Sequence, residues 1–190
     1  MNFLFIKDVS KYGILDGKLT SEVRIIGSCG GTQSGVFTCG GKNKYIKWSR
    51  DIGIQDFEIR SEFQVDLVDE TAITFVLWSG NTEFHLGLDG KGNTLFYESR
   101  REGSALDGPY LYGPTNLNPD KFQTIIIKRR EGKLKVSVDG VAWDDISFSS
   151  SIDAVGWRPW RNTIHIKDLV QIVDKGNINT KIIRPKFMLL

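Results

Sequence analysis

Trp78, His85 and Glu98 are the residues whose types and spacing come nearest to a binding site. They fall on three consecutive segments of alternating polarity. Ile73, Phe75 and Leu77 take the opposite parity from Trp78, and Phe84, Leu86 and Leu88 the opposite parity from His85, so Trp78, His85 and Glu98 are expected on one sheet face. An aromatic ring can cover the C–H face of a pyranose while a few fixed polar groups bind its hydroxyls, so this set fits recognition of a sugar. The competing reading makes Trp78 a core residue and His85 a surface one. Tyr110 and Tyr112, flanked by Gly108, Pro109, Gly113 and Pro114, either reach from a stiffened loop toward a ligand or fold over the end of the domain as a cap. In the run Trp157-Arg158-Pro159-Trp160-Arg161-Asn162 the expected role is structural, with Trp160 plugging the core and Arg161 bonding to loop carbonyls. Arg158 and Arg161 are the fallback ligand contacts, able to grip a carboxylate such as that of an acidic sugar.

Catalytic chemistry finds less support. Glu58 and Glu62 share one face of a strand, as a general acid and base would, but Arg60 stands between them and the opposite face is the apolar one. They read as a solvated surface with cross-strand charge pairs. Neither His85 nor His165 lies near a Ser or Cys in a nucleophile-elbow turn, and no triad is legible. Two histidines and two cysteines are too few for a structural zinc site or a three-histidine catalytic one. Asp89, Asn93, Asp107 and Asp139 offer hard oxygen ligands for Ca²⁺ without a ligand run of known spacing, so no cofactor is expected. Lys128-Arg129-Arg130, followed by Glu131, reads as a solvated turn.

The elements that must position these residues are strands. In 57–66 the residues Phe57, Ile59, Phe63 and Val65 alternate with Glu58, Arg60, Glu62, Gln64 and Asp66, which predicts a half-buried strand. Residues 72–78 are apolar on both faces apart from Thr74, as in an inner strand. Residues 83–88 alternate, 89–93 make a tight loop, and 94–98 return. Residues 100–121, with three prolines, read as a long irregular loop. Strands resume at 122–128 and 133–138, and a last one at 163–172 carries a bulge near Lys167-Asp168, where the alternation slips. No stretch has helical apolar spacing. The fold class is all-β, about ten to fourteen strands in a two-sheet antiparallel sandwich.

With 190 residues, 40% of them hydrophobic, the chain has length for one sizeable core. A single domain over 1–174 is expected, with 175–190 as an edge strand, a linker or an oligomerisation arm. The net charge of +2 gives no broad basic field, which argues against nucleic acid and fits neutral sugars better than a polyanion. The apolar run 3–6 is too short for a signal-peptide core, and no window approaches a membrane helix, so no membrane insertion is expected; an extracellular or cell-surface context fits a trimmed leader. Cys29 and Cys39 enclose a turn-like stretch that can bring them within bonding distance, but two buried free thiols are the favoured reading.

One family resemblance emerges from these residues. The segment 122–145 (FQTIIIKRREGKLKVSVDGVAWDD) is similar to the paired strands of laminin-G-like and concanavalin A-like jelly rolls, and 151–172 looks like their closing strand. Within that superfamily DFEIRSEFQV, AITFVL, FHLGLDG, LFYE and GPYLYGP resemble the lectin-like module attached to some sialidase-type glycosidases. The Trp157–Asn162 run occurs in those relatives too, which implies an architectural role for it. The resemblance covers roughly 53–173 and leaves 1–52 unexplained, and the ordered His-Asn-Pro-Arg run of galactose-binding lectins is missing. It implies two curved sheets and a glycan as the usual ligand. The expected function is a non-catalytic, lectin-like module that binds glycans or glycoproteins. The alternatives are a structural jelly roll that forms a homo-oligomer, and an accessory fragment of a glycosidase.

Overall fold

The computed structural model describes residues 11–66 and 73–172, which form sixteen β-strands and no helix. The strand count exceeds the expected ten to fourteen because short strands occur early in the chain and one lies inside 100–121. The first sheet has nine strands. Its main path runs β14 (Val141–Ser147), β13 (Lys133–Val138), β12 (Gln123–Arg130), β7 (Phe57–Val65), β16 (Thr163–Ile172), β1 (Lys11–Leu15) and β2 (Lys18–Leu19), while β5 (Val36–Gly40) also pairs with β16 and β4 (Gly31–Gln33) with β5. The second has seven strands in the order β11 (Ser104–Leu111), β10 (Thr94–Arg101), β9 (Thr82–Asp89), β8 (Ile73–Ser79), β15 (Ile152–Pro159), β6 (Tyr45–Gly53) and β3 (Val23–Ile26). All pairs are antiparallel, and together the sheets make a jelly-roll-like sandwich. The part of the unexplained early segment from Lys11 onward belongs to it, since β1 pairs with the last strand, β16.

Alternation builds the core between the sheets. Phe57, Ile59, Phe63 and Val65 of β7 are buried with Ile125 and Ile127 of β12, opposite Phe75 and Leu77 of β8 and Leu86 and Leu88 of β9. Each such side chain contributes about 1.5–3 kcal/mol when withdrawn from water. Trp157 joins the two layers. Its ring packs 4.9 Å from Phe63 and 5.0 Å from Phe75, and its indole N–H donates to Ser61 Oγ at 3.1 Å, so the one polar residue in the inward row of β7 has a partner. Trp157, and not the expected Trp160, is therefore the core plug. The reason is that β15 extends to Pro159 in regular alternation, which turns Trp157 inward and Arg158 outward.

The bulge in β16 stands where the slip in alternation places it, between Ile166 and Asp168. It separates two partners on one edge: 163–166 pair with β5, and 169–171 with β1.

Three further expectations are corrected. Residues 104–111 form β11, paired with β10, although they contain Pro109. A proline lacks the N–H that a central strand needs, but β11 is the outermost strand, and its register slips near the cis Gly108–Pro109 peptide, where a missing donor is tolerated. Cys29 and Cys39 are joined in a disulfide, with Cα atoms 4.4 Å apart, because the β4–β5 hairpin folds the chain back on itself. Arg129 lies in β12 and is only 1% exposed, so it is no solvated turn residue. Its guanidinium donates to the carbonyls of Gln55, Gly53 and Ser150 and stacks on Phe57 and Phe148, which satisfies a charge that could not be buried bare. Residues 1–10, the Asp69-Glu70 turn and the tail 175–190 lie outside the described residues.

Candidate functional site

The inward parity of Phe75, Leu77, Leu86 and Leu88 forces their neighbours onto the outer face of the seven-stranded sheet, and strand register then lines these up in rows. One row runs Ala154, Trp78, Glu83, Arg100 across β15, β8, β9 and β10. The next runs Gly156, Val76, His85, Glu98, and the third Arg158, Thr74, Gly87, Phe96. Trp78, His85 and Glu98 thus do share a face. Glycine is required at position 87, where a Cβ would come within 1.9 Å of the Phe96 ring; its absence lets that ring lie flat across β9.

His85 is the hub of the face. It is 1% exposed, with Nδ1 3.1 Å from Glu98 Oε1 and Nε2 2.8 Å from Glu83 Oε2. A carboxylate only accepts, so both contacts are hydrogen bonds when the ring carries both protons. Glu98 also receives Arg100 Nη1 at 3.3 Å, and Arg100 in turn donates to the Gly103 carbonyl. Glu83 further accepts from the Trp78 indole and the Tyr45 hydroxyl, each at 3.4 Å. Burial alone would push the Glu83 carboxyl up. The hydrogen bond and charge of His85, helped by the Trp78 N–H and the Arg158 charge, outweigh it and hold the group below its usual range. Tyr45 moves the other way: burial raises its phenol, Arg158 partly offsets this, and Glu83 reinforces it.

Trp78 takes an intermediate position between the two expectations for it. It faces outward, yet is only 4% exposed, because it packs with Val76, Ala154 and Tyr45 and lies beneath the Lys47 ammonium, 5.0 Å from the ring centroid. Its ring is a floor and not an open stacking platform. Two clefts flank the His85 hub. One, of about 230 Å³, is lined by Thr74, His85, Phe96, Glu98, Arg100, Arg158 and Trp160. The other, of about 340 Å³, is lined by Ile26, Tyr45, Lys47, Trp78, Gly80, Asn81, Glu83 and Glu102. The first combines two half-buried aromatic rings with fixed donors and acceptors.

Not every candidate reaches this face. Tyr110 stands opposite Tyr97, which packs inward on Phe84, so Tyr110 belongs to the inner side of the sheet at its edge, where its hydroxyl donates to Asp107 at 2.6 Å. Tyr112 packs against the core. Arg158 joins the first cleft, whereas Arg161 lines a separate one with Lys42, Asp66 and Thr163. Glu58 and Glu62 pair with Lys128 at 3.0 Å and Lys167 at 2.9 Å. Of the Ca²⁺ candidates, Asn93 Oδ1 accepts from Thr115 and Asn116, Asp107 from Tyr110, and Asp139 from Lys121, Gln123 and Thr124. Among the described residues no three His, Cys, Asp or Glu side chains gather to hold a metal. His165 meets Asp66 at 2.6 Å and Thr38 at 2.9 Å, and Thr38 sits on a regular strand.

Sequence reasoning missed Glu83, Arg100, Thr74, Phe96 and Tyr45. Glu83 was within reach, two residues before His85 on the same strand; the others become neighbours only through strand order.

No family model and no curated protein matches the chain. Solved structures do. The carbohydrate-binding module CBM66 from Bacillus subtilis is similar over 80% of this chain and 96% of its own, at a TM-score of 0.65 and 16% identity. The Bacillus licheniformis β-glucanase matches over 84% and 96% (TM-score 0.60, 10% identity), and the CBM2 module of the evolved Dit of Lactobacillus casei BL23 phage J-1 over 86% and 96% (0.59, 11%). The chain is an all-β jelly-roll sandwich of the architecture shared by these carbohydrate-binding modules.

Proposed function

We propose that the protein is a non-catalytic carbohydrate-binding module whose glycan or glycoprotein ligand sits on the outer face of the seven-stranded sheet. The observation that carries this reading is the cleft of about 230 Å³ in which the half-buried rings of Phe96 and Trp160 stand beside Thr74, His85, Glu98, Arg100 and Arg158. Rings of this kind cover the apolar side of a sugar, and the hydrogen-bonded His85 hub fixes polar groups before a ligand arrives, which lowers the ordering cost of binding. The fold shared with CBM66 supports the reading. Glu83 is poorly suited to the general acid that a glycosidase needs, since its carboxyl is held below the usual range. The disulfide fits an oxidising, extracellular setting. Among the described residues no helix is long and apolar enough to cross a membrane.

A structural, oligomerising role has one observation in its favour. All eight residues of the edge strand β11 are exposed, including Leu106, Tyr110 and Leu111. The two readings separate on a glycan array together with sedimentation velocity. The carbohydrate reading expects array binding that Trp160→Ala abolishes while the thermal melt persists. A silent array and a concentration-dependent oligomer that Leu111→Asp dissolves would replace it with the structural reading. Turnover of aryl-glycosides lost in Glu98→Gln would overturn the non-catalytic assignment.

A further inference from the structure

One guanidinium in the cleft makes no ion pair among the described residues. Arg158 is held between two rings, its guanidinium carbon 4.4 Å from the Trp160 centroid and 5.5 Å from that of Tyr45. Its Nε is buried and has no hydrogen-bond partner, and the guanidinium forms no ion pair with a carboxylate among the described residues. An unsatisfied buried donor is rare and costly in a native protein, and it marks a position where a partner is missing. The surrounding charges do not supply one. Glu98 is taken by His85 and Arg100, and Glu83 by His85, Trp78 and Tyr45. Arginine cannot shed its own charge, so Arg158 lines the cleft as a cation that makes no ion pair among the described residues.

We infer that the cleft selects sugars that carry a carboxylate, gripped by the Arg158 guanidinium that lines it. The planar guanidinium fork matches a planar carboxylate in two parallel hydrogen bonds, and the half-buried Phe96 ring in the same cleft offers an apolar wall for the sugar attached to it. Burial among rings raises the strength of that pairing over its value in water. The inference rests on the carbohydrate reading and deepens it. It also replaces the expectation of neutral sugars that net charge suggested: a total of +2 over the chain is silent about a single arginine outside any ion pair among the described residues.

The test is calorimetric titration of the intact chain with ligand pairs that differ only in the acid group. Suitable pairs are oligogalacturonate against its methyl ester, and sialyllactose against its methyl ester, which separate a uronate from a sialate. At least one acid is expected to bind about tenfold or more tighter than its neutral twin. That preference should shrink as salt is raised from about 50 to 500 mM. Arg158→Gln should bring the acid and its neutral twin to equal affinity, whereas Arg158→Lys, which keeps the charge but not the fork, should retain part of the preference. Melting of each variant reports whether it folds; if Arg158→Gln does not, Arg158→Lys decides, and an undiminished preference in it counts against the inference. Neutral sugars bound as tightly as acids, or a preference untouched in Arg158→Gln, would overturn the carboxylate assignment and leave carbohydrate binding standing. If the wild type binds neither acid nor neutral sugar, both readings fall together.

Discussion

Replacing His85 by leucine tests the electrostatic centre of the candidate site. The imidazole is 1% exposed and bridges Glu98 at 3.1 Å and Glu83 at 2.8 Å. A hydrogen bond to a charged group contributes about 1.5–3 kcal/mol, and breaking a buried ion pair by removing one member costs about 3–5 kcal/mol. Both figures need a discount here, because Glu83 is 24% exposed and Glu98 keeps Arg100. A loss of about 2–4 kcal/mol at pH 7 follows, a large share of the ~5–15 kcal/mol of an ordinary domain. The pH dependence is the sharper signature. In the wild type Glu83 is held below its usual range, so it contributes stability above the ordinary glutamate value of about 4.3 that is lost as pH falls through its folded pKa. Without His85, two of the causes that hold the carboxyl down are lost and it rises, so the variant loses less stability in acid. Urea unfolding followed by tryptophan fluorescence at pH 7 and pH 4 should therefore show a gap between the two proteins that narrows in acid. A cost below about 1 kcal/mol at pH 7, or one that is equal at both pH values, would refute the bridging role. His85→Gln, able to donate to one carboxylate, should fall between.

Three further outcomes concern the scaffold. Arg129→Met should destabilise by about 3–5 kcal/mol in the same assay, since it strips donors from the buried carbonyls of Gln55, Gly53 and Ser150; an effect under about 1 kcal/mol would show these carbonyls find water instead. Reduction of the Cys29–Cys39 disulfide, which spans a sequence separation of 10, should cost about 2–3 kcal/mol of loop-closure entropy, read as a lower melting temperature in dithiothreitol that Cys29→Ala/Cys39→Ala reproduces without reductant. Burial, reinforced by Asp107, pushes the Tyr97 phenol up to about 12, so the unfolded chain ionises first and stability should decline as pH rises from about 10 toward 12; Tyr97→Phe should flatten that limb, and an unchanged alkaline profile would count against it.

Most of the architecture was legible because alternation is a local signal. The parity of Phe57, Ile59, Phe63 and Val65 placed β7, that of 72–88 placed Trp78 and His85 on one face, and the slip near Lys167 marked the bulge. The strand β11 was hidden because its Gly108 and Pro109 carry turn chemistry that an outermost strand tolerates. Whether Cys29 and Cys39 bond depends on a hairpin whose strands are too short to show periodicity. Trp157 and Trp160 could not be told apart without knowing where β15 ends, and Arg129 looked solvated because its carbonyl partners lie more than seventy residues earlier and twenty later. The site itself was half visible. Glu83 and His85 are strand neighbours, but Tyr45, Thr74, Arg100 and Arg158 meet only because β6, β15, β8, β9 and β10 are adjacent, which no local pattern encodes.

The five tryptophans offer the most direct test of where a ligand sits. Trp48, Trp143 and Trp157 are buried in the core between the sheets, whereas Trp78 and Trp160 line the clefts of the outer face. A nitrogen–proton correlation spectrum resolves their indole signals, which can be followed while glucose-, galactose- and uronate-bearing oligosaccharides are titrated in. Binding on the outer face should shift the indole signals of Trp160 and Trp78 in a saturable way and leave Trp48, Trp143 and Trp157 in place. Saturable binding that moves neither Trp160 nor Trp78, or no saturable shift with any of these sugars, would contradict a carbohydrate site on this face.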